Sequence, residues 1–169
     1  MAELASRDRL QPSLIDRLTD DEPDKGVESR ERRVLSMRSL KQAVLRDLSW
    51  LLNTTNLECV QDLSAYAPVA SSVVNYGMPD IAGRTASGLS LPEIERSIRQ
   101  SIWDFEPRII RKTVSVKAIS GADKDGHNLV LFEVEGDLWA QPYPERLYLK
   151  TELDLEIGSV KVVEQGGAR

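Results

Sequence analysis

The chain contains 169 residues, of which 41% are hydrophobic and 29% are charged, and its formal net charge is −5. These values predict one globular domain of ordinary size that buries a hydrophobic core. A net negative charge argues against nucleic-acid binding, which normally requires a basic surface. No apolar run approaches the ~20 residues needed to span a bilayer, and the N-terminus lacks the layout of a signal peptide. We therefore expect a cytoplasmic protein that does not insert into a membrane.

The sequence offers few residues for metal or cofactor chemistry. It contains one cysteine, Cys59, and one histidine, His127, which excludes a disulfide framework and the usual zinc clusters. We expect His127 to lie in a solvated loop and Cys59 to be a small buried or half-buried residue. The glycines that flank RTAS lack the lysine of a phosphate-binding loop. The sequence therefore predicts no metal and no cofactor.

Residues 1–33 carry sixteen charged side chains, seven basic and nine acidic. Such a segment cannot bury enough apolar surface to offset the entropy lost on ordering, which predicts a flexible charged N-terminal arm. Within it, PSLIDRL places Leu14, Ile15 and Leu18 on one short apolar stripe after Pro12. The stripe predicts a turn or two of helix that orders on a surface, either the protein's own or a partner's.

The run SMRSLKQAVLRDLSWLLNT is predicted to form the first main helix. Its apolar residues recur at helical spacing, Ser36 is a candidate N-cap, and the helix is expected to end near Asn53. A long irregular segment, residues 54–90, follows, and its NYGMP run indicates turns. The apolar stripe of the helix comprises Met37, Leu40, Val44, Leu45, Leu48, Leu51 and Leu52.

The second main helix begins at the run SLPE. Ser90 and Glu93 have the spacing of a capping box, and proline is tolerated in a first helical turn. Pro107 disfavours helical geometry at Glu106, so the helix is expected to end at about Phe105. Its predicted buried face comprises Ile94, Ile98, Ile102 and Phe105.

After the second helix the hydrophobic period changes to two. The runs TVSVKAI, LVLFEVEGDLWA and RLYLKTELDLEI alternate, and a short VKVV follows a Gly-Ser turn. Consecutive strands joined by short turns predict an antiparallel meander of three or four strands. The predicted fold is thus α+β, with two main helices packed on one face of a small sheet, in a single domain over residues 34–165. The third run places Leu147, Leu149, Leu153 and Leu155 on one face.

The run WDFEPRIIRK, at the junction of helix and sheet, contains a possible catalytic pair. Glycosidases need two carboxyl groups that flank a sugar, one of them protonated. On a helix, Asp104 and Glu106 would point to opposite faces. Positive charge on Arg108, Arg111 and Lys112 favours an ionised carboxylate, which is wrong for a general acid at neutral pH. The local residues therefore argue against hydrolysis, although the sequence leaves open that Asp80 comes close to Glu106 in space.

The same run fits a binding role better. Pro107 fixes the backbone direction between Glu106 and Arg108, and in an extended segment these two side chains would project to the same side. A stiff pair of opposite charges loses little entropy when it docks on a partner. The alternative is an internal junction that pins the sheet to the helix, and the sequence does not decide between the two.

Several runs of the sequence match a known pattern in the same order. They are SLIDRL in the arm, LLNT after the first helix, SVVNYGMPD, FEPRI, EGDL, and RLYLKTELDLEIG. Together they resemble the TssE family, the baseplate wedge subunits of type VI secretion systems, whose wider family includes a small wedge protein of contractile-phage baseplates. The resemblance covers nearly the whole chain, and NYGMPD followed by FEPR is its most specific part. Met78 stands where leucine is expected, which is a conservative departure.

The resemblance implies a non-enzymatic structural protein of a contractile injection system. Its implied partners are the baseplate components TssF, TssG and TssK and the sheath subunits. The Glu-Pro-Arg motif, here Glu106, Pro107 and Arg108, is the family signature and is expected to support assembly of the wedge. The small sheet resembles the strand-exchanging part of sheath subunits, so its edge strands are expected to template sheath assembly.

The implied interface extends beyond the Glu-Pro-Arg motif. Asn75, Tyr76, Gly77 and Asp80 of the NYGMPD run are further candidates for contacts with the wedge or sheath. In the arm, the candidate contacts are Leu14, Ile15 and Leu18.

Two other functions remain alternatives. A lysozyme-like label attached to the family makes a peptidoglycan hydrolase that uses Glu106 the first of them, and it would require a second carboxyl group nearby. The other is a cytoplasmic adaptor, unrelated to secretion, that uses the same edge strands.

Overall fold

A computed structural model describes residues 13–19, 23–24, 37–81, 90–119, 129–140 and 144–164. Most of the predicted arm, the predicted N-cap Ser36 and the loop histidine His127 lie outside these residues. The domain limits 34–165 stay a prediction. No helix in the described parts of the chain is long and apolar enough to cross a bilayer.

Four helices occur in the described residues, and two of them are long. The short ones are α1 (Leu14–Leu18) and α3 (Ala67–Ala70), and the long ones are α2 (Met37–Leu52) and α4 (Leu91–Phe105). Both long helices therefore end where the sequence predicts. The buried face of α2 comprises Leu40, Ala43, Val44, Leu48, Leu51 and Leu52, and α4 buries Ile94, Ile98 and Ile102 while Phe105 is half-buried.

The start of α4 differs from the prediction in one respect. Ser90 is the N-cap residue, but its side chain makes no capping hydrogen bond. Its backbone carbonyl instead accepts the N–H groups of Glu93, at 2.9 Å, and Ile94, at 3.2 Å. The predicted capping box is therefore wrong, although the helix begins at the expected residue.

Four antiparallel strands form one meander in the order β1-β2-β3-β4. They are β1 (Ser115–Ile119), β2 (Leu129–Leu138), β3 (Glu145–Asp154) and β4 (Ser159–Glu164). Burial alternates along β2 and β3, as expected for a sheet with one covered face. The four leucines predicted to share a face are each at most 2% exposed, namely Leu147, Leu149, Leu153 and Leu155.

The two long helices cover one face of the sheet, with α4 against β1 and α2 against β4. Phe132 of β2 is fully buried at the centre of the core. The opposite face of the sheet carries alternating charges, such as Lys117, Glu133 and Lys150, which are paired across β1, β2 and β3. The predicted α+β arrangement of two helices on a small sheet is confirmed.

The segment after α2 is irregular but tightly held. Thr55 forms a parallel bridge with Met78, and the N–H of Met78 donates to the carbonyl of Thr54 at 2.8 Å. Gly77 has a φ of +125°, and a Cβ added there would lie 2.3 Å from the carbonyl oxygen of Thr54. Only glycine fits this close approach of two backbone segments.

Cys59 is exposed, and the predicted burial is wrong. It is the last residue of a 3₁₀ turn, Leu57–Cys59, that has no buried residue. Its thiol donates to the side-chain oxygen of Asn56 at 3.0 Å and accepts the N–H of Asp80 at 3.1 Å. The thiol therefore forms hydrogen bonds within the loop, where apolar packing was expected.

We predict that Gly77→Ala destabilises the protein by about 3 kcal/mol, because the new methyl group meets a backbone oxygen and the φ value is unfavourable. Urea unfolding measures the free energy. Gly158→Ala is the control, since Gly158 also has a positive φ, of 68°, and should cost about 1 kcal/mol. Equal losses for the two variants would contradict the close approach at Gly77.

Candidate functional site

The end of α4 makes a tight corner at the Glu-Pro-Arg motif. The N–H of Glu106 donates to the carbonyl of Ile102 at 2.9 Å, which closes the last helical turn. The carbonyl of Glu106 then accepts the N–H of Ile109 at 3.2 Å. Pro107 occupies the second position of this turn, where its fixed φ is favourable. The corner is therefore a turn and not the extended segment considered from the sequence.

The turn brings the charged side chains of the motif together. Glu106 is 3% exposed, and its carboxylate accepts from both Nε and Nη2 of Arg108, the Nε bond measuring 2.7 Å. The backbone N–H of Arg108 also donates to this carboxylate, at 3.2 Å. Such a bidentate pair satisfies a buried carboxylate that would otherwise be costly.

The pair extends into a chain of five charges across three helices. Nη2 of Arg108 also donates to Oδ2 of Asp47 on α2, at 2.6 Å. The other oxygen of Asp47 accepts from Nε of Arg46 at 2.9 Å, and Nη1 of Arg46 donates to Asp16 of α1 at 2.6 Å. The charge chain Asp16–Arg46–Asp47–Arg108–Glu106 therefore ties the N-terminal helix to the Glu-Pro-Arg corner.

The charge chain shifts the pKa values of Arg108, Asp16 and the neighbouring Tyr76. Burial acts against the guanidinium of Arg108, but Glu106 and Asp47 outweigh it, so the pKa of Arg108 lies above its ordinary value. Burial and the negative charges of Asp47 and Glu106 raise the pKa of Tyr76. Burial disfavours ionised Asp16, but hydrogen bonds from Arg46 and Ser13 outweigh it and lower the pKa of Asp16.

The corner is also joined to the sheet. The carbonyl of Arg108 accepts the N–H of Trp139, and the N–H of Ile110 donates to the carbonyl of Asp137, both at 2.8 Å. The side chain of Ile109 occupies the space over Gly136, where an added Cβ would lie 2.7 Å from its Cγ2. The glycine of the EGDL run thus makes room for the residue that follows the motif.

A surface groove of about 420 Å³ opens beside the corner. Its floor contains Asp47, Glu106 and Arg108 of the charge chain. Pro107 and Trp50 on its walls are exposed, Trp50 by 48%. One nitrogen of Arg108, Nη1, is buried without a hydrogen-bond partner in the described residues. The apolar walls are Ile15, Trp50, Leu51, Tyr76, Phe105 and Pro107.

Of the three predicted arm contacts, Ile15 lines this groove, together with the cap residue Ser13. Ser13 caps α1 and forms a capping box with Asp16. Asp16 faces the domain through Arg46, and the apolar residues of α1 point outward, with Leu14 71%, Ile15 45% and Leu18 76% exposed. The helix therefore presents its apolar side to solvent, the reverse of an ordinary surface helix.

The residues of the NYGMPD run are divided between the interior and the surface. Asn75 is buried, and its side chain accepts the N–H of Glu58 at 2.9 Å and donates to the carbonyl of Ala70 at 2.8 Å. Gly77 is buried at the close approach described above, and Asp80 is exposed. Tyr76 is half-buried, lines the groove and packs edge-on against Phe105. Of the four, Tyr76 alone is brought to the corner.

Sequence reasoning missed Asp47, Arg46 and Trp50. Asp47 and Arg46 read as ordinary solvated positions of an amphipathic helix, and their contacts involve residues far along the chain. The separation between Arg108 and Asp47 is 61 residues. The available signal was weak: an adjacent Arg-Asp pair and an exposed tryptophan on the same helix.

The chemistry of the corner is that of a structural ion-pair network. Both carboxylates in the groove, Asp47 and Glu106, accept hydrogen bonds from Arg108. Asp104 of the hydrolase hypothesis accepts instead from Gln100, at 2.8 Å, on the helix surface. In the described residues no group of histidine, cysteine and acidic side chains could hold a metal ion.

The fold and the corner define a small α+β protein in which a charge-paired turn joins the helices to the sheet. Comparison with protein families gives a match between residues 38–143 and the family described as baseplate wedge protein gp25. The match spans more than half of the chain, and the chain belongs to this family of structural baseplate proteins, as the resemblance implied. Searches of curated proteins and of solved structures each returned no match.

We predict that Arg108→Met destabilises the protein by about 3 kcal/mol, because it leaves the buried Glu106 carboxylate unpaired. The double variant Glu106→Gln with Arg108→Met should recover more than half of that loss, since no buried charge remains. Urea unfolding measures all three proteins. Lys112→Met, at an exposed cation near the motif, is the control and should leave the midpoint unchanged. A double variant as unstable as the single one would contradict the buried-pair account.

We also predict that α1 detaches from the domain in acid. The pKa of Asp16 lies below its ordinary 3.8 when docked, so the stabilisation is complete above about pH 4 and is lost as pH falls through the docked value. The indole N–H signal of Trp50, which shares the groove with Ile15, should move over this range in NMR spectra. Asp16→Asn should show the detached signal already at neutral pH. An identical acid transition in that variant would rule out Asp16 as its cause.

Proposed function

We propose that the protein is a subunit of a type VI secretion baseplate, located in the cytoplasm, and that the groove beside the Glu-Pro-Arg corner is its wedge interface. The wedge components TssF, TssG and TssK are its proposed partners. The family assignment supports the baseplate role, and the groove supports the position of the interface. The observation that carries the proposal is the meeting of exposed apolar residues with a rigid, charge-paired floor.

Three features of the groove favour a partner. First, Trp50 and Ile15 of α1 both line the groove beside the charge chain and leave apolar surface in water. Second, the floor is held by bonds to α2, α4 and β2, so docking costs little ordering entropy. Third, Pro107 and Tyr76 bring further apolar surface to the groove beside Arg108.

The sequence left two roles open for the Glu-Pro-Arg motif, an interface with a partner and an internal junction, and we propose that the corner has both. Glu106 is buried and acts from inside, where it orients Arg108 and the turn. Pro107, Tyr76 and the outer edge of Arg108 reach the groove. We therefore assign direct contact to the exposed residues and assign Glu106 a positioning role.

The proposal also includes a second interface, with the sheath. Its support is the four-stranded sheet, whose outer strands have backbone groups available to another chain. One molecule would then join the wedge through its helices and the sheath through its sheet.

We predict that Trp50→Ala lowers the affinity for the wedge proteins at least tenfold, because a half-exposed tryptophan at the centre of an interface is a typical hot spot. Tagged protein is purified from cells that express TssF, TssG and TssK, and recovery is titrated against partner concentration. Tyr148→Ala is a matched control: Tyr148 is exposed and lies under Arg146, as Trp50 lies under Arg46, but on the open face of the sheet. Circular dichroism confirms that both variants fold.

Equal recovery of the wedge proteins with Trp50→Ala and wild type would place the interface elsewhere. If wild type itself recovers none of them, the proposed wedge role fails.

A further inference from the structure

The two edges of the sheet are not equally open to another strand. In an antiparallel pair, residues alternate between those that bond to the neighbouring strand and those whose N–H and C=O point away. On β4 the outward groups belong to Val160, Val162 and Glu164, because Val160 bonds to a side chain outside the sheet. On β1 the same reasoning from Ala118 assigns outward groups to Val116 and Ala118.

Asn53, just after α2, occupies the first outward position of β4. Its Oδ1 accepts the N–H of Val160 at 2.9 Å, and its Nδ2 donates to the carbonyl of Val160 at 2.7 Å. The same Nδ2 is 2.7 Å from the carbonyl of Ser49, which anchors the side chain to the helix. One side-chain amide thus imitates one peptide unit of an added strand.

Glu95 of α4 closes β1 in a similar way. Its Oε1 accepts the outward N–H of Ala118 at 2.7 Å. β1 has only five residues. The outward backbone groups that remain for another chain are therefore the N–H and C=O of Val116 and the C=O of Ala118. A strand added on this side would lack a continuous ladder.

The second half of β4 stays open. In the described parts of the chain, no hydrogen bond is made to the outward backbone groups of Val162 or Glu164. The side chain of Glu164 is held by an ion pair with α2, because its Oε1 lies 3.6 Å from Nζ of Lys41. The edge is therefore fixed in position and carries two outward residues in register.

We propose that Asn53 is a built-in stop that sets the register of strand addition: an extended segment of a sheath subunit pairs with β4 from Val162 onward and does not pair with β1. This inference rests on the proposed sheath contact and names the edge and the residue that determine it. The added segment pairs mainly by its backbone. Opposite Val162 it would carry an apolar residue, and opposite Lys161, on the open face, an acidic one.

Proline substitutions test the edge, because proline removes an N–H without breaking the sheet where that N–H points outward. Val162→Pro should reduce the recovery of sheath subunits with the tagged protein at least tenfold. Val116→Pro should leave it within twofold of wild type, since the N–H of Val116 is not used by the added strand. Recovery of the wedge proteins is measured in the same samples, and thermal unfolding shows which variants fold.

Normal sheath recovery with folded Val162→Pro would overturn the inference, as would its loss with folded Val116→Pro. Loss of the sheath from wild type while the wedge proteins remain is a different result. It would overturn the proposed sheath contact itself.

Amide hydrogen exchange gives a test that needs no proline. In the isolated protein, Val160 should exchange slowly and Val162 quickly, and Asn53→Ala should accelerate Val160 about fivefold or more. When sheath subunits bind wild type, exchange at Val162 should slow while Val116 is unchanged. Slowing at Val116 without slowing at Val162 would contradict the assignment of the edge.

Discussion

The guanidinium of Arg108 holds the structure together at the point where helix, sheet and N-terminal arm meet. It neutralises the buried carboxylate of Glu106 and at the same time bonds to Asp47 on the neighbouring helix. Asp47 in turn holds Arg46, which holds Asp16 of the arm. A buried ion pair is weak evidence for stability, but it fixes geometry, because each member is costly to leave unpaired. The position of the groove depends on this constraint.

Polar groups at the edges of the sheet are also paired by side chains from the helical part of the chain. Side chains from the helices, Asn53 at one edge and Glu95 at the other, satisfy backbone groups that an edge strand leaves unpaired. Exposed edges invite non-specific pairing, and natural proteins cover them. Here the covering is partial, so the helices that build the core also determine where another strand can be added. In our proposal, α2 and α4 therefore determine both the wedge contact and the sheath contact.

Periodicity in the sequence was enough to predict the architecture. The helical stripe of α2, the alternation of leucines in β3 and the stop imposed by Pro107 are local signals, and each agrees with the structure. The charge chain and the edge contacts were not predictable, because they join residues far apart, such as Asn53 and Val160, separated by 107 residues. The predicted burial of Cys59 was wrong for a related reason, because its polar partners are brought to it by the fold of an irregular loop. The Glu-Pro-Arg run was recognisable, but its division into a buried carboxylate and an exposed proline was not.

We propose that the groove beside the Glu-Pro-Arg corner is covered when the wedge assembles. Hydroxyl-radical footprinting read by mass spectrometry compares side-chain oxidation in the isolated protein and in the assembled wedge. We expect oxidation of Trp50 and Ile15, which line the groove, to fall severalfold on assembly, while Tyr148 on the open face of the sheet changes little. Unchanged oxidation of Trp50 in a wedge that contains the protein would contradict the account.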